Sequence, residues 1–483
     1  MSKQPNVKAN TLFNTIKSVF SIIYPLITFP YISRVLMADN VGKINFGNSI
    51  VSYFSLIASL GVTTYAVREC SRVRNDKEQL DKTASQIFSI NIFSTIIAYV
   101  ALAVTLVVAR PLHNYRKLIC IQSTTILFAT LGADWLNTAM EDFKFIAVRT
   151  MGMQIVALIL MFVFVRHPED YIIYAVISVI ASSGANIVNI FYRRKFCRTK
   201  FTLDMDLRRH LPPIMLLFSM ILSQTIYCNS DMTMLGLMRS DYEVGLYSTA
   251  VKIYNIVNTV VASVAWVVMP QLSENFAKKN YGEINRLLKY SLNFIVVLGL
   301  PCIAGINAIT TPIIYVLAGE QYIGASVALH ILTATLTFSF ISGWITNMIL
   351  LPASRENVCL ISSIVAAVIN VILNALLIPK FGINGAAGTT AFSQLVGMVI
   401  VSRYIEKDIK IDGFRQMIKG PVIGSLTIVV IGVLASFIFK SSYAVTVVAI
   451  VLSVAAYVLV LAVTKNEFFL SFIKPVINKI KRR

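Results

Sequence analysis

Long apolar stretches recur along the whole chain, from near residue 10 to near residue 464. Each has about 20 residues, the length that a helix needs to cross a hydrocarbon core of roughly 30 Å. The pattern predicts an all-α integral membrane protein with about fourteen transmembrane helices, and no connection is long enough to hold a folded domain. The predicted spans are 10–34, 41–66, 84–108, 117–137, 148–165, 171–192, 213–238, 244–270, 287–308, 325–350, 357–378, 385–404, 419–438 and 443–464.

The composition and the placement of charge support this interpretation. Hydrophobic residues make up 56% of the chain and charged residues 14%, which excludes an ordinary soluble domain. The formal charge of +20 would suit a nucleic-acid partner, but the basic residues cluster in connections on one side of the predicted membrane. The positive-inside rule then places both termini in the cytoplasm. We expect the basic segments at 68–82, at 193–209 and in the C-terminal tail to face anionic lipid headgroups, and we expect no nucleic-acid partner.

A short sequence echo suggests two related halves. Leu36-Met37 followed by Val41-Gly42 leads into the second span, and Leu237-Met238 followed by Val244-Gly245 leads into the eighth. A long basic connection after the sixth span separates these stretches. We predict two six-helix lobes related by an axis along the membrane normal. The predicted parts are residues 1–205 for helices 1–6, 206–404 for helices 7–12, and 405–483 for helices 13–14 and a basic cytoplasmic tail.

Charged residues inside the predicted spans are candidates for function. A charge near mid-membrane costs roughly 2.5–3.5 kcal/mol on insertion scales. Lys17, Arg34 and Lys252 could bind an anionic headgroup such as a diphosphate, although long cationic side chains also snorkel to the interface. Asp231 and Lys252 are placed where they could pair. For Asp231, and for Asp134 nearer a span end, both a coupling role and a structural ion pair stay open.

The patterns of enzyme and metal sites are weak. Asp204 and Asp206 have the D-x-D spacing of metal-dependent glycosyltransferases, but they lie in a short basic connection without a surrounding domain. The glycines from Gly382 to Gly388 open an apolar span and indicate close helix packing. No P-loop occurs, so transport would use a gradient or a partner. The cysteines lack zinc or disulfide spacing. We therefore expect no enzymatic activity, no metal and no cofactor.

Four longer stretches carry a resemblance to a known family. They are FPYISRVL at 29–36 with the run through residue 62, DWLNTAMEDFKFIAVR at 134–149, the run from SDMTMLGLM to YNIV at 230–257, and LIPKFGINGAAGTTAFSQ at 377–394. The chain resembles the polysaccharide transport, or Wzx-type flippase, branch of the multidrug/oligosaccharidyl-lipid/polysaccharide exporter superfamily. The resemblance implies two MATE-like six-helix lobes around a central cavity, with two extra C-terminal helices. Asn137-Thr138-Ala139 departs from the family pattern and puts substrate contacts from the fourth span in doubt.

The resemblance also implies a function. The cargo would be an undecaprenyl-diphosphate-linked oligosaccharide, flipped to the outer leaflet of a bacterial inner membrane for O-antigen, capsule or exopolysaccharide assembly. Alternating access would be driven by an ion gradient, with a polymerase and chain-length machinery as partners. By the same resemblance, Lys17, Arg34, Lys43 and Lys252 would line the cavity and bind the diphosphate. Two alternatives stay open: a drug or cation antiporter of the same superfamily, and a membrane-embedded glycan polymerase or glycosyltransferase.

Overall fold

The computed structural model describes residues 7–405, 409, 413–466 and 468–470. Within these ranges the chain forms helices joined by turns and short loops, and it contains no β-strand. The predicted all-α class is therefore confirmed. The contacts within the chain divide it into two compact units, Met1–Gly245 and Leu246–Arg483. The lobe boundaries predicted at residues 205 and 404 stay predictions, and the basic C-terminal tail lies outside the described residues.

The first unit holds helices α1 to α8 and the start of α9. Short 3₁₀ segments at Arg110–Tyr115, Pro168–Asp170 and Arg193–Lys195 flank α4 and α7. The helices are α1 (Val7–Ser59), α2 (Val62–Arg72), α3 (Lys77–Val108), α4 (Arg116–Gly132), α5 (Asp134–Ala139), α6 (Phe143–Phe164), α7 (Tyr171–Tyr192), α8 (Leu207–Met238) and α9 (Asp241–Ala262).

The second unit holds the remainder of α9 and the helices that follow it. A 3₁₀ segment at Glu320–Ala325 precedes α13, and a π-helical turn at Thr346–Leu350 follows it. The helices are α10 (Val264–Ala277), α11 (Tyr281–Ala308), α12 (Thr310–Ala318), α13 (Ser326–Ile345), α14 (Glu356–Ser402), α15 (Phe414–Ile438) and α16 (Ser442–Val463).

Eleven helical runs among the described residues are long and apolar enough to cross a membrane. The predicted number of about fourteen is not confirmed. One reason is that α1, with 53 residues, and α14, with 47 residues, each form one run where the sequence predicts two spans. At 1.5 Å per residue, each is roughly twice as long as a hydrocarbon core of about 30 Å is thick. Another reason is that α4 has 17 residues and is shorter than a typical span.

Both long helices contain a break in the backbone. In α1 the break is at Met37, with φ 64° and ψ 168°, whereas Pro25 and Pro30 lie within the helix. In α14 the break is at Gly382, with φ 54° and ψ −132°. A Cβ atom on the nearby Gly385 would lie 2.7 Å from the carbonyl oxygen of Leu377, so this turn requires glycine. The packing role predicted for the small residues of this segment is confirmed at Gly385.

Small polar side chains connect the apolar helices of the first unit. Asn91 and Ser94 of α3 both donate hydrogen bonds to the carbonyl oxygen of Ala58 in α1, at 2.7 Å and 2.5 Å. Thr95 of α3 lies 2.7 Å from Thr130 of α4. In a membrane the hydrophobic effect provides little force between helices, so such hydrogen bonds and close contacts hold them together.

Candidate functional site

The two stretches that echo each other in the sequence contact each other through two glycines. A Cβ atom on Gly42 would lie 1.7 Å from the carbonyl oxygen of Asp241, and one on Gly245 would lie 2.1 Å from that of Ala38. Neither position can hold a larger residue without a shift of the backbone. Each glycine contacts the residue four positions before the other glycine, so the contact is reciprocal. We call these four residues the paired-turn contact.

We call the stretch at 36–43 the first turn and the stretch at 237–246 the second turn. Side chains around the paired-turn contact hold the second turn in place. The ring of Phe46 in α1 packs where a Cβ atom on Gly236 would lie, 2.1 Å from that position. Phe46 also makes an edge-on contact with Tyr115, with ring centroids 4.8 Å apart. The hydroxyl of Tyr115 donates a 2.7 Å hydrogen bond to Oδ1 of Asp241. Burial raises the pKa of Tyr115, so its hydroxyl stays protonated and keeps donating this bond.

The cation at this place is Lys43, which directly follows Gly42. Its ammonium group donates to Oδ1 of Asn40 at 3.0 Å and lies 5.2 Å from the ring centroid of Tyr171. Asn40 is itself held by a 2.8 Å hydrogen bond to the carbonyl oxygen of Pro168. Among the described residues, Lys43 takes part in no ion pair. The charge of Lys43 also acts on the carboxylate of Asp241, but without a direct ion pair the ammonium keeps two N–H donors for an anion.

The other two cations predicted in α1 lie in different surroundings. Arg34 is half-buried, and one of its hydrogen bonds goes to the carbonyl oxygen of Pro30 in the same helix, at 2.7 Å. Lys17 is half-buried nearer the start of α1. The residues are separated along α1, and Arg34 and Lys43 lie on opposite sides of the break at Met37. The first unit thus holds three of the four predicted cations on one broken helix.

Asp134 forms an ion pair with a partner that was not predicted from the sequence. Its carboxylate contacts the guanidinium of Arg149 in α6, which is 3% exposed and also donates to the carbonyl oxygen of Ala185 at 2.8 Å. A buried guanidinium needs such a partner because its desolvation is costly. Arg149 lies at the edge of the predicted span 148–165. A charged residue at that position indicates a need for a partner, and this was the sequence feature that could have identified the pair.

Asp231 and Lys252 belong to different units. Asp231 of α8 is 6% exposed, and nearby in α8 the hydroxyl of Thr233 donates to the hydroxyl of Ser49 in α1 at 2.8 Å. Lys252 of α9 is half-buried. The predicted contact between Asp231 and Lys252 would join the two units and stays a prediction.

Asn137, where the sequence departs from the family pattern, has a packing role. It is fully buried and donates to Oδ1 of Asn189 at 2.7 Å, and Asn189 donates to the carbonyl oxygen of Gly132 at 2.8 Å. These bonds connect α5 to α7 and to the end of α4. The amide nitrogen of Asn137 is therefore committed to a contact within the protein.

Comparison with known proteins agrees with the resemblance seen in the sequence motifs. A candidate O-antigen transporter of Shigella dysenteriae is 20% identical over 411 residues, which cover 83% of this chain and 100% of the relative. The fold is similar to the lipid II flippase MurJ in its inward closed conformation, with a TM-score of 0.75, 18% identity and coverage of 96% and 100% of the two chains. It is also similar to an inward-facing multidrug resistance MATE family transporter, with a TM-score of 0.59, 14% identity and coverage of 82% and 97%.

These similarities have different weight. At such low identity the two solved structures show the fold, and they confirm the MATE-like architecture. The relative and both structural neighbours are named as transporters or flippases, in agreement with the expectation that the chain is not an enzyme. The family model described as polysaccharide biosynthesis protein matches residues 7–276, more than half of the 483 residues. The chain is therefore a multi-pass membrane protein that belongs to the polysaccharide biosynthesis protein family.

Proposed function

We propose that this chain is a flippase for undecaprenyl-diphosphate-linked oligosaccharides, which it moves from the cytoplasmic to the outer leaflet for surface polysaccharide assembly. The observation that carries this proposal is the family match over residues 7–276, together with a candidate O-antigen transporter that matches over its full length. The physical task is to move a charged, hydrated headgroup past hydrocarbon. An isolated charge costs many kcal/mol to dehydrate, whereas a polar, cationic path replaces the lost water.

The headgroup ligands in this proposal are Lys17, Arg34, Lys43 and Lys252. Ammonium and guanidinium groups are good partners for phosphate oxygens. Lys43 has the best support, because its ammonium group has three N–H donors, uses one of them for Asn40, and lies in no ion pair among the described residues.

The carboxylates divide into two roles in this proposal. Asp134 is structural, since it neutralises the buried Arg149. Asp231 is the candidate for coupling to an ion gradient, since it is a buried carboxylate within a predicted span, where ionisable residues are rare and often lie on ion pathways. The location would be a bacterial inner membrane, with both termini in the cytoplasm and a polymerase and chain-length machinery as partners.

Transport would proceed by alternating access. The paired-turn contact then corresponds to closure of the outer side, and it separates when the protein opens outward. Its two glycines contact backbone oxygens, and its separation would also break the hydrogen bond from Tyr115 to Asp241.

A drug or cation antiporter is the second candidate, because the fold is also similar to a MATE transporter. The fold does not distinguish the two, since both neighbours have low identity. Cationic cargo would favour a path lined by carboxylates. The predicted cations outnumber the predicted carboxylates here, which favours an anionic cargo.

The sidedness of a lipid-linked oligosaccharide in proteoliposomes tests the proposal. An impermeant lectin or glycosidase reports the fraction of headgroups on the outside, and we expect this fraction to rise only when the protein is present. Lys252→Gln should slow the rise, and Lys252→Arg should preserve it, because only the arginine keeps the charge. Absence of flipping under an imposed ion gradient, combined with uptake of a cationic dye, would favour the antiporter.

A further inference from the structure

The second unit contains an open cleft of about 390 Å³ that is separate from the predicted cargo residues. It lies where α11 and α15 end and where α12, α13 and α16 begin. The residues that contribute its polar groups include Asn307, Thr310, Thr311, His330, Lys440 and Ser442. None of the described residues that line it is acidic. The cleft is therefore suited to an anion.

Lys440 and His330 supply the strongest polar groups of the cleft. Lys440 is exposed, lies between α15 and α16, and takes part in no ion pair among the described residues. Nδ1 of His330 lies 2.8 Å from Oδ1 of Asn307 and 3.3 Å from the hydroxyl of Thr310. Because Nδ1 donates to the amide oxygen, the imidazole ring is held in one orientation. An exposed cation and an oriented imidazole ring thus line the same cleft.

Two helices also begin at this cleft. Thr310 and Thr311 are the first residues of α12, which has nine residues, and Ser442 is the first residue of α16. No side chain caps either helix start. The first N–H groups of a helix lack acceptors within the helix, and the helix dipole favours negative charge there. Pro312, the third residue of α12, has no N–H. The preference for an anion that Lys440 creates is therefore strengthened by the first N–H groups of α16 and by those of Thr310 and Thr311 alone in α12.

The surroundings of the cleft are those of a membrane interface. An apolar cluster of Ile309, Ala435, Val445 and Ala449 reaches the cleft through Val445, which lines it. Aromatic and aliphatic side chains next to Lys440 are exposed, with Phe437 at 84% and Ile438 at 69%. Exposed aromatic residues at helix ends are typical of the headgroup level of a bilayer. Acyl chains can follow such apolar surfaces while a charged headgroup occupies the polar cleft.

We propose that this cleft binds the phosphate group of an anionic membrane lipid. The ammonium of Lys440 pairs with the phosphate, and the hydroxyls of Thr311 and Ser442 donate to its oxygens, whereas the hydroxyl of Thr310 donates to the carbonyl oxygen of Ile306 at 2.7 Å. Because Lys440 connects α15 to α16 and His330 belongs to α13, a bound lipid holds the C-terminal helix pair against the remainder of the second unit. This proposal does not depend on the flippase function.

Native mass spectrometry of the full chain in detergent tests this site. We expect saturable binding of phosphatidylglycerol and no binding of diacylglycerol, which lacks the phosphate. Lys440→Gln should weaken phosphatidylglycerol binding about tenfold, because a hydrogen bond to a charged group is lost. Lys380→Gln removes an exposed lysine of α14 that does not line the cleft, and it should leave the affinity unchanged.

His330→Gln provides a second variant, for which we expect a loss of several-fold in affinity. Equal affinities for wild type, Lys440→Gln and His330→Gln would overturn the proposal, as would equal losses for Lys440→Gln and Lys380→Gln. Inorganic phosphate, titrated separately, distinguishes the source of the ligand. Saturable binding of inorganic phosphate without retention of phosphatidylglycerol would overturn the lipid as the ligand.

Discussion

The two turns of the paired-turn contact share a short sequence motif and a glycine contact but differ in charge. In both turns a leucine and a methionine are followed by Val-Gly, and in both the glycine contacts a carbonyl oxygen of the other turn. After Gly42, however, comes Lys43, whereas Leu246 follows Gly245. The first turn therefore presents a cation immediately after the contact, and the second presents an aliphatic side chain.

The polar residues around the two turns reinforce this difference. In the first turn, Asn40 accepts a hydrogen bond from the ammonium of Lys43, which interacts with the carboxylate of Asp241 only at a distance. In the second, Arg239 and Glu243 neutralise each other in an ion pair with a 2.9 Å separation. Both turns thus require a glycine at the contact, whereas only the first turn has a cation outside an ion pair among the described residues. We infer that closure is a property of both turns and that headgroup binding depends on the first.

The largest expected effect comes from filling the space at the paired-turn contact. Gly42→Val places side-chain atoms where the carbonyl oxygen of Asp241 lies 1.7 Å from a Cβ atom. Even ordinary overpacking costs about 1–3 kcal/mol, so we expect flipping to fall by at least about fivefold from this cost alone. Headgroup sidedness in proteoliposomes measures this.

Gly152→Val is the matched control, because a Cβ atom on Gly152 of α6 meets nothing within 4 Å. Both changes replace glycine by valine inside a helix and alter helix propensity in the same direction, so the difference between them isolates the contact. Gly245→Val should resemble Gly42→Val if the contact is reciprocal in function. Wild-type flipping by well-expressed Gly42→Val would refute the role of the contact.

A smaller effect is expected from removing the charge of the first turn. Lys43→Gln keeps a hydrogen-bonding side chain but loses the ammonium. A hydrogen bond to a charged group contributes roughly 1.5–3 kcal/mol, so flipping at low cargo concentration should fall about tenfold or more. Thermal stability should change little, because Lys43 is half-buried and lies in no ion pair among the described residues.

Lys117→Gln is the control for this change, since Lys117 is an exposed lysine at the start of α4. Lys43→Arg should retain most of the activity. Equal flipping by Lys43→Gln and Lys117→Gln would mean that the charge of the first turn has no part in headgroup binding.

The sequence alone was sufficient for the fold class and for the echo, because both depend on local pattern. Apolar length predicts helices directly, and the Val-Gly pairs are visible by inspection. That Gly42 contacts Asp241 could not be predicted, since a contact across about two hundred residues depends on how α1, α8 and α9 pack. The predicted connection between the spans 10–34 and 41–66 contains the break at Met37, but the positive φ of this residue could not be predicted, because a methionine rarely adopts one.

Among the candidate site residues, the sequence identified charges better than their partners. Asp134 was recognised as a carboxylate near a span end, but Arg149 was not assigned to it, because fifteen residues and a turn between helices separate the two. The role of Asn137 was also hidden, since its partner Asn189 is on α7. Identifying a buried polar partner requires the packing of helices, which periodicity does not provide.

The smallest expected effect concerns the ion pair of the second turn. Arg239 and Glu243 are four residues apart on a partly exposed surface, with side chains 36% and 21% exposed. Such pairs contribute about 0.3–0.5 kcal/mol. A double-mutant cycle with Arg239→Gln and Glu243→Gln, followed by thermal unfolding, should give a coupling of that size, with flipping unchanged. If either variant slows flipping as strongly as Lys43→Gln, charge matters at both turns, and the assignment of headgroup binding to the first turn alone is wrong.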